Sequence, residues 1–132
     1  MRVSSAKHAR YYLRSLEMTA LAEPEPWFIP QNDQRLINLE HVLPEKPEGN
    51  WPQFTEDDVA QYAKRLGNLT LLRASDNSYQ RSAPFSEKKV VYAESPYRLT
   101  SQLARYDEWN VQAIVERQKV LAELAIPTWP GV

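Results

Sequence analysis

Only two short stretches of this chain have the residue pattern of β-strands. The first covers residues 36–43, where apolar side chains partly alternate with polar ones, and Pro44 follows it. Alternating apolar side chains bury one face of a sheet, and proline lacks the N–H that would extend a strand ladder. The second stretch, residues 69–72, begins just after Gly67. Because strands need partners, the chain is restricted to a small two-stranded element inside a helical protein.

Helical periodicity covers most of the remaining sequence. Thr55 and Asp58 resemble a capping box at the start of one helix, and Gly67 suits the position after its end. We predict helices over residues 4–22 and 55–66, and three C-terminal helices within residues 86–125: 86–94, a short helix capped by Thr100, and 108 to about 125. The predicted fold class is α+β and mostly helical, with a two-stranded core over about residues 36–82 embedded in about five helices. We expect the 132 residues to form one domain.

Composition excludes several classes of protein. The chain has no cysteine, which rules out disulfides and cysteine-ligated zinc. No apolar run is long enough to span a bilayer and no cleavable signal is visible, so we expect a cytoplasmic protein without a membrane partner. The net charge of −1 is not that of a self-sufficient DNA binder. However, residues 64–105 contain 8 basic and 3 acidic side chains. This basic block either faces phosphate or is a chance cluster of surface charges.

Glu40 and His41 are adjacent at the end of the first predicted strand. A carboxylate beside an imidazole can hold a metal ion and deprotonate a water molecule. Downstream, Asn68 follows Gly67, and Asn77 lies nine positions further on. Taken singly, each feature is more often structural: a histidine at a strand end is usually a surface residue, and Gly-Asn is usually a turn. In combination with their spacing, these residues favour a functional site over the structural interpretation.

The combined pattern resembles the HNH nucleases of the ββα-metal fold. More closely, it resembles the C-terminal nuclease domain of the GmrSD-type restriction endonucleases, which attack modified DNA. The resemblance rests on Glu-His-Val-Leu-Pro at residues 40–44 and Leu-Gly-Asn-Leu-Thr-Leu-Leu at residues 66–72. Further matching positions, spread over most of the chain, are Tyr12, Leu13, Leu16, Glu17, Phe85, Lys88, Tyr92, Ser95, Trp109, Ile114, Arg117, Leu121, Trp129 and Pro130.

The resemblance implies a role for each residue of the motif. His41 corresponds to the general base, and Glu40 to the acidic metal ligand before it. Asn68 corresponds to the residue that orients the base and ties the hairpin together, and Asn77 to a second metal ligand. Asp76 takes the place of Asn77 if the turn is shifted by one residue. Oxygen ligands of this kind suit Mg²⁺ or Mn²⁺.

Basic and aromatic residues suggest where DNA would be bound. We predict that Arg73, Arg81 and Lys88 contact DNA phosphate, although Lys88 also fits an exposed helical lysine. Arg117 lies within an apolar helical face and is predicted to pair with a carboxylate. The segment Trp-Phe-Ile-Pro at residues 27–30 either packs in the core or stacks on bases.

The function implied by the resemblance is a Mg²⁺-dependent HNH-type DNA endonuclease that acts in restriction of phage or other foreign DNA. In that family the nuclease domain usually follows a large N-terminal domain that couples nucleotide hydrolysis to recognition. The 132 residues contain no Gly-rich phosphate loop, so we expect a separate or missing N-terminal recognition domain as a partner. Two alternatives remain open: a catalytically inactive HNH-fold module that binds DNA or protein, and an enzyme that acts on RNA.

Overall fold

The computed structural model describes residues 6–21, 36–77, 79 and 81–128. In this part of the chain it contains five α-helices and one two-stranded sheet, which confirms the predicted fold class. The elements are α1 (Ala6–Leu21), β1 (Ile37–His41), α2 (Glu56–Tyr62), β2 (Leu69–Arg73), α3 (Phe85–Ala93), α4 (Arg98–Ser101) and α5 (Val111–Thr128). Short 3-10 turns cover Leu66–Asn68, Ala74–Asp76 and Gln102–Arg105.

The predicted element bounds agree with the structure except at the ends of helices. The inserted helix has the expected capping box between Thr55 and Asp58, but it stops at Tyr62, and a 3-10 turn leads into β2. The three C-terminal helices predicted within residues 86–125 are present as α3, α4 and α5, with ends shifted by a few residues. The aromatic segment at residues 27–30 and the Trp-Pro pair at 129–130 lie outside the described residues. No helix in the described part is long and apolar enough to cross a membrane.

The two strands pair antiparallel, with His41 opposite Leu69 and Glu40 opposite Thr70. Because successive side chains of a strand point to opposite faces, the sheet packs against helices on both sides. On one face, Ile37 and Leu71 join a buried cluster with α1. On the other face, Leu72 joins a cluster that contains the aromatic residues of α3 and of the segment before α5. The end of β1 therefore lies between two packed layers.

Helix α5 holds the entry to β2 through two close contacts. A side chain on Gly67 would place its Cβ 2.4 Å from the carbonyl oxygen of Ile114, so any other residue there requires the backbone to shift. The buried Arg117 donates hydrogen bonds from Nη1 to the carbonyls of Gly67 and Leu69. The hydrogen bonds of Arg117 thus go to backbone carbonyls, while the buried Glu17 carboxylate attracts its charge without a direct ion pair among the described contacts. Burial lowers the pKa of Arg117 to about 10, which still leaves it charged at neutral pH.

Candidate active site at the end of strand β1

His41 is the last residue of β1, and its imidazole is half-buried, with a side-chain exposure of 26%. Its Nε2 lies 3.6 Å from a carboxylate oxygen of Glu45. Burial lowers the pKa of His41, and the charges of Lys88 and Lys64 lower it further, while those of Glu45 and Glu40 oppose the change. The net direction is downward from the ordinary value of 6.5, so the imidazole is neutral at pH 7. A neutral, partly accessible imidazole can accept a proton from water.

Glu40 precedes His41 and points to the opposite face of the strand, towards α3. Its carboxylate is buried and accepts hydrogen bonds on Oε2 from the hydroxyls of Tyr79 and Tyr92, the second at 2.8 Å. The Nζ of Lys88 lies 3.7 Å from the same oxygen. Lys88 and Tyr92 are four residues apart on α3, so they project from the same side of that helix. In the described part of the chain, two of the three groups that contact the Glu40 carboxylate therefore come from helix α3, and the third is Tyr79.

Lys88 is completely buried, and this corrects the prediction that it contacts DNA phosphate. Its Nζ donates hydrogen bonds to the carbonyls of His41 and Val42, each at 3.0 Å. The ammonium also lies 5.5 Å from the centre of the Trp51 ring and 5.6 Å from that of Tyr79. Burial lowers the pKa of Lys88, and Glu40 opposes this change. The enclosed Lys88 ammonium therefore stabilises the backbone at the end of β1.

Asn68 is fully buried, and its side-chain hydrogen bonds connect the turn before β2 to the residues that follow β1. Its Oδ1 accepts from the N–H of Leu43 and from the indole N–H of Trp109. Its Nδ2 donates to the carbonyls of Leu43 and Ala63, both at 2.9 Å. A side-chain amide has two donor hydrogens and two acceptor positions, so the hydrogen-bonding capacity of Asn68 is full. Asn68 therefore ties the hairpin together, but it has no capacity left to bond the imidazole of His41 directly.

Asn77 lies on the same face of the sheet as Glu40. Its Nδ2 donates to the Oδ1 of Asn38 at 3.3 Å, and Asn38 is two residues before Glu40 in β1, which places both on one face. The amide nitrogen is used in this contact, so the amide oxygen is directed elsewhere. Asp76, the alternative ligand, is held by Arg73 in a two-pronged ion pair with distances of 2.7 and 3.0 Å. The geometry thus favours Asn77 over Asp76.

The oxygen donors on this face fit a hard divalent cation that keeps most of its water. In the described residues, no three His, Cys, Asp or Glu side chains converge on one point. A cation here would rely on the Glu40 carboxylate, the Asn77 amide oxygen and water. Mg²⁺ is commonly held in this way, by one or two carboxylates with several waters retained. The nearby charge of Lys88 balances Glu40 and opposes tight cation binding.

The remaining predicted DNA contacts lie on the outside of the molecule. The Arg73 side chain is 42% exposed even though Asp76 occupies two of its donors, and Arg81 is exposed. Lys64 is also exposed and close enough to affect the pKa of His41. Of these cations, only Lys64 affects the pKa of His41, since Arg73 pairs with Ile37 at the other end of β1. Their contact with phosphate stays a prediction.

Four participants in the site were missed by reasoning from the sequence. Tyr79, Trp51, Glu45 and Asn38 approach Glu40, Lys88, His41 and Asn77 through tertiary packing. Only Asn38 carried a usable signal, because it shares the predicted strand and its face with Glu40. Tyr92 was part of the family pattern, but its spacing from Glu40 indicated no contact.

The family model described as "GmrSD restriction endonucleases, C-terminal domain" matches residues 2–124. The matched region contains both strands, helix α3 and every residue of the site described above. No curated protein matches the chain significantly.

Proposed function

The chain belongs to the family of GmrSD restriction endonuclease C-terminal domains, and we propose that it is an HNH-type endonuclease domain that cleaves DNA. In this proposal the domain hydrolyses phosphodiester bonds with Mg²⁺ or Mn²⁺, in the restriction of foreign DNA. The observation that carries the proposal is the arrangement at the end of β1. A neutral, partly accessible histidine follows a buried carboxylate in β1, and α3 contacts the Glu40 carboxylate and the His41 backbone.

His41 is the proposed general base. Its lowered pKa keeps the imidazole unprotonated at neutral pH, which is the state that can take a proton from the attacking water. Its backbone carbonyl accepts a hydrogen bond from Lys88, and the neighbouring strand end is held by Asn68. These contacts restrict the position of the base relative to the substrate. A well-positioned base needs little reorganisation during the reaction.

Glu40 and Asn77 are the proposed residues that would hold the divalent cation. When bound, such a cation neutralises charge that develops on the phosphate and on the leaving oxygen. Tyr92 and Lys88 keep the Glu40 carboxylate on the α3 side of the sheet. The Asn38 side chain directs the Asn77 amide to the same face.

DNA is the proposed substrate, and Arg73, Arg81 and Lys64 are the proposed phosphate contacts. All three lie in the basic block of residues 64–105, and Lys64 is close enough to lower the pKa of His41. The net charge of −1 indicates weak DNA binding by these residues alone. We therefore propose that a separate N-terminal recognition domain, coupled to nucleotide hydrolysis, contributes most of the affinity.

A plasmid-nicking assay tests the proposal with a matched pair of histidine variants. Wild type, His41→Ala and His8→Ala would be compared with Mg²⁺, with Mn²⁺ and with EDTA. His8 is the other histidine of the chain and is exposed on α1, so it serves as the control. Loss of a general base lowers the rate by about 10²–10⁴-fold. We expect this loss in His41→Ala only, and no nicking in EDTA.

Equal nicking by wild type and His41→Ala would contradict the assignment of the base. If none of the proteins nicks DNA, titration with Mn²⁺ separates two cases. Binding that is lost in Glu40→Gln supports an intact site that lacks its partner domain. Absence of binding by wild type supports the inactive module.

A further inference from the structure

The hydrogen bonds to the Glu40 carboxylate are distributed unequally between its two oxygens. The hydroxyls of Tyr79 and Tyr92 both donate to Oε2, and the Lys88 ammonium lies 3.7 Å from that same oxygen. Among the described residues, no donor reaches Oε1. A carboxylate oxygen accepts about two hydrogen bonds, so Oε2 is saturated. Only Oε1 is available to a ligand from outside.

The donors around Oε2 are held firmly. Tyr92 and Lys88 are both fully buried, and Lys88 is fixed by the carbonyls of His41 and Val42 at 3.0 Å. Rotation of the carboxylate to expose both oxygens would take the acceptor Oε2 away from the buried Tyr92 hydroxyl and from the Lys88 ammonium. Such a loss is unfavourable because an unpartnered buried polar group keeps its full desolvation penalty.

We propose that Tyr79, Tyr92 and Lys88 act together as positioning residues that restrict Glu40 to one metal-binding oxygen and thereby make the site prefer Mg²⁺ over Ca²⁺. This inference rests on the proposed metal site. Mg²⁺ requires nearly octahedral coordination and commonly takes a single oxygen from a carboxylate. Ca²⁺ accepts six to eight oxygens and often takes both oxygens of a carboxylate. If one carboxylate oxygen is blocked, Ca²⁺ loses a coordination bond that it often makes, whereas Mg²⁺ keeps the single bond that it commonly uses.

Calorimetric titration of the full chain with Mg²⁺ alone and with Ca²⁺ alone tests the inference without any activity measurement. The main variant is Tyr92→Phe, which keeps the buried ring and removes only the hydroxyl that bonds Oε2. Tyr106→Phe is the matched control, because Tyr106 packs edge-on against Trp109, away from Glu40. Glu40→Gln establishes that the observed binding involves Glu40.

Lys88→Met provides a second test, with Lys89→Met as its control. Lys89 is the next residue of α3, and its Nζ donates to the carbonyl of Tyr106 instead of approaching Glu40. Thermal melts of each variant show whether it is folded before titration. If Lys88→Met does not fold, Tyr92→Phe decides the outcome alone.

We expect wild type to bind Mg²⁺ more tightly than Ca²⁺. Removal of one hydrogen bond to a charged group should reduce this preference by about three- to tenfold in Tyr92→Phe. Tyr106→Phe should keep the wild-type ratio. An unchanged ratio in both Tyr92→Phe and Lys88→Met, with binding that still depends on Glu40, would overturn the inference and leave the proposed metal site standing. Binding of neither metal, or binding unaffected in Glu40→Gln, would overturn both.

Discussion

Replacement of Asn68 by aspartate should destabilise the domain severely, although the two side chains have nearly the same shape. Asn68 is fully buried and uses its amide nitrogen to donate to the carbonyls of Leu43 and Ala63, each at 2.9 Å. In Asn68→Asp that nitrogen becomes an oxygen. Two carbonyl groups then face an acceptor instead of a donor, while the bonds received by Oδ1 are retained.

The expected magnitude follows from counting these groups. A buried polar group that loses its partner costs about 1–3 kcal/mol, so two carbonyls cost roughly 2–6 kcal/mol. Domains are stable by only about 5–15 kcal/mol. At roughly 3–5 °C for each kcal/mol in a domain of this size, the midpoint of thermal unfolding should fall by about 6–30 °C.

The loss should depend on pH in a defined direction. A protonated carboxyl can donate one hydrogen bond, so folding favours its protonated form and raises its pKa above the unfolded value of about 3.9. A group whose pKa is raised by folding contributes most stability below its unfolded pKa and loses that contribution as the pH rises through its folded pKa. The difference between Asn68→Asp and wild type should therefore be smallest near pH 4 and grow towards neutral pH.

Asn110→Asp is the matched control for this experiment. Asn110 precedes α5, and its Oδ1 accepts from the N–H of Ala113 at 2.9 Å, which is the bond of a helix cap. Aspartate keeps that acceptor and adds a negative charge at a helix N-terminus, which is neutral or stabilising by about 0.3–1 kcal/mol. Thermal melts of both variants over a pH series make the comparison. Similar melting points for Asn68→Asp and Asn110→Asp at pH 7 would refute the reasoning.

Two further predictions concern a buried helix cap and a close contact between Gly67 and helix α5. The buried Glu17 caps the start of α4, because its two carboxylate oxygens accept from the N–H groups of Arg98 and Leu99 at 2.7 and 2.8 Å. Glu17→Ala should lower the free energy of unfolding by roughly 2–4 kcal/mol in chemical denaturation. The exposed Glu116→Ala on α5 is the control and should change stability little; equal effects of the two variants would contradict the capping role. Gly67→Ala should cost about 1–3 kcal/mol because its methyl would meet the Ile114 carbonyl at 2.4 Å. Gly49→Ala, at φ 85° with open space around it, should cost only about 1 kcal/mol in the same assay, and a larger loss at Gly49 than at Gly67 would argue against the close contact.

Much of the fold could be predicted because it depends on local signals. The strand that ends before Pro44, the capping box of Thr55 and Asp58, and the glycine before β2 all depend on residues close in sequence. The helix ends were less predictable. Residues 63–66 were predicted to be helical, but α2 ends at Tyr62 and a 3-10 turn over Leu66–Asn68 follows. In that turn Gly67 contacts Ile114 and Gln118 of α5, about 50 positions away in the chain.

The buried position of Lys88 could not be predicted, and the reason is energetic. A lysine in an amphipathic helix is normally solvated, because burial of an ammonium is costly without partners. Here the partners are the Glu40 carboxylate, two carbonyls at the end of β1 and the ring of Trp51. These partners lie 37 to 48 positions before Lys88 in the chain, so the sequence around residue 88 gave no sign of them.

The sequence by itself determined the mostly helical α+β class, the two strands and the adjacency of Glu40 to His41, since these follow from periodicity, caps and neighbouring residues. Only the tertiary structure decided what each of these side chains contacts. It showed that Asn68 uses its whole hydrogen-bonding capacity on the backbone and on Trp109, and that Glu40 keeps one oxygen bound to α3. The physical reason is that a buried polar group takes whatever donor or acceptor packing brings within about 3 Å, and packing is settled by the whole chain.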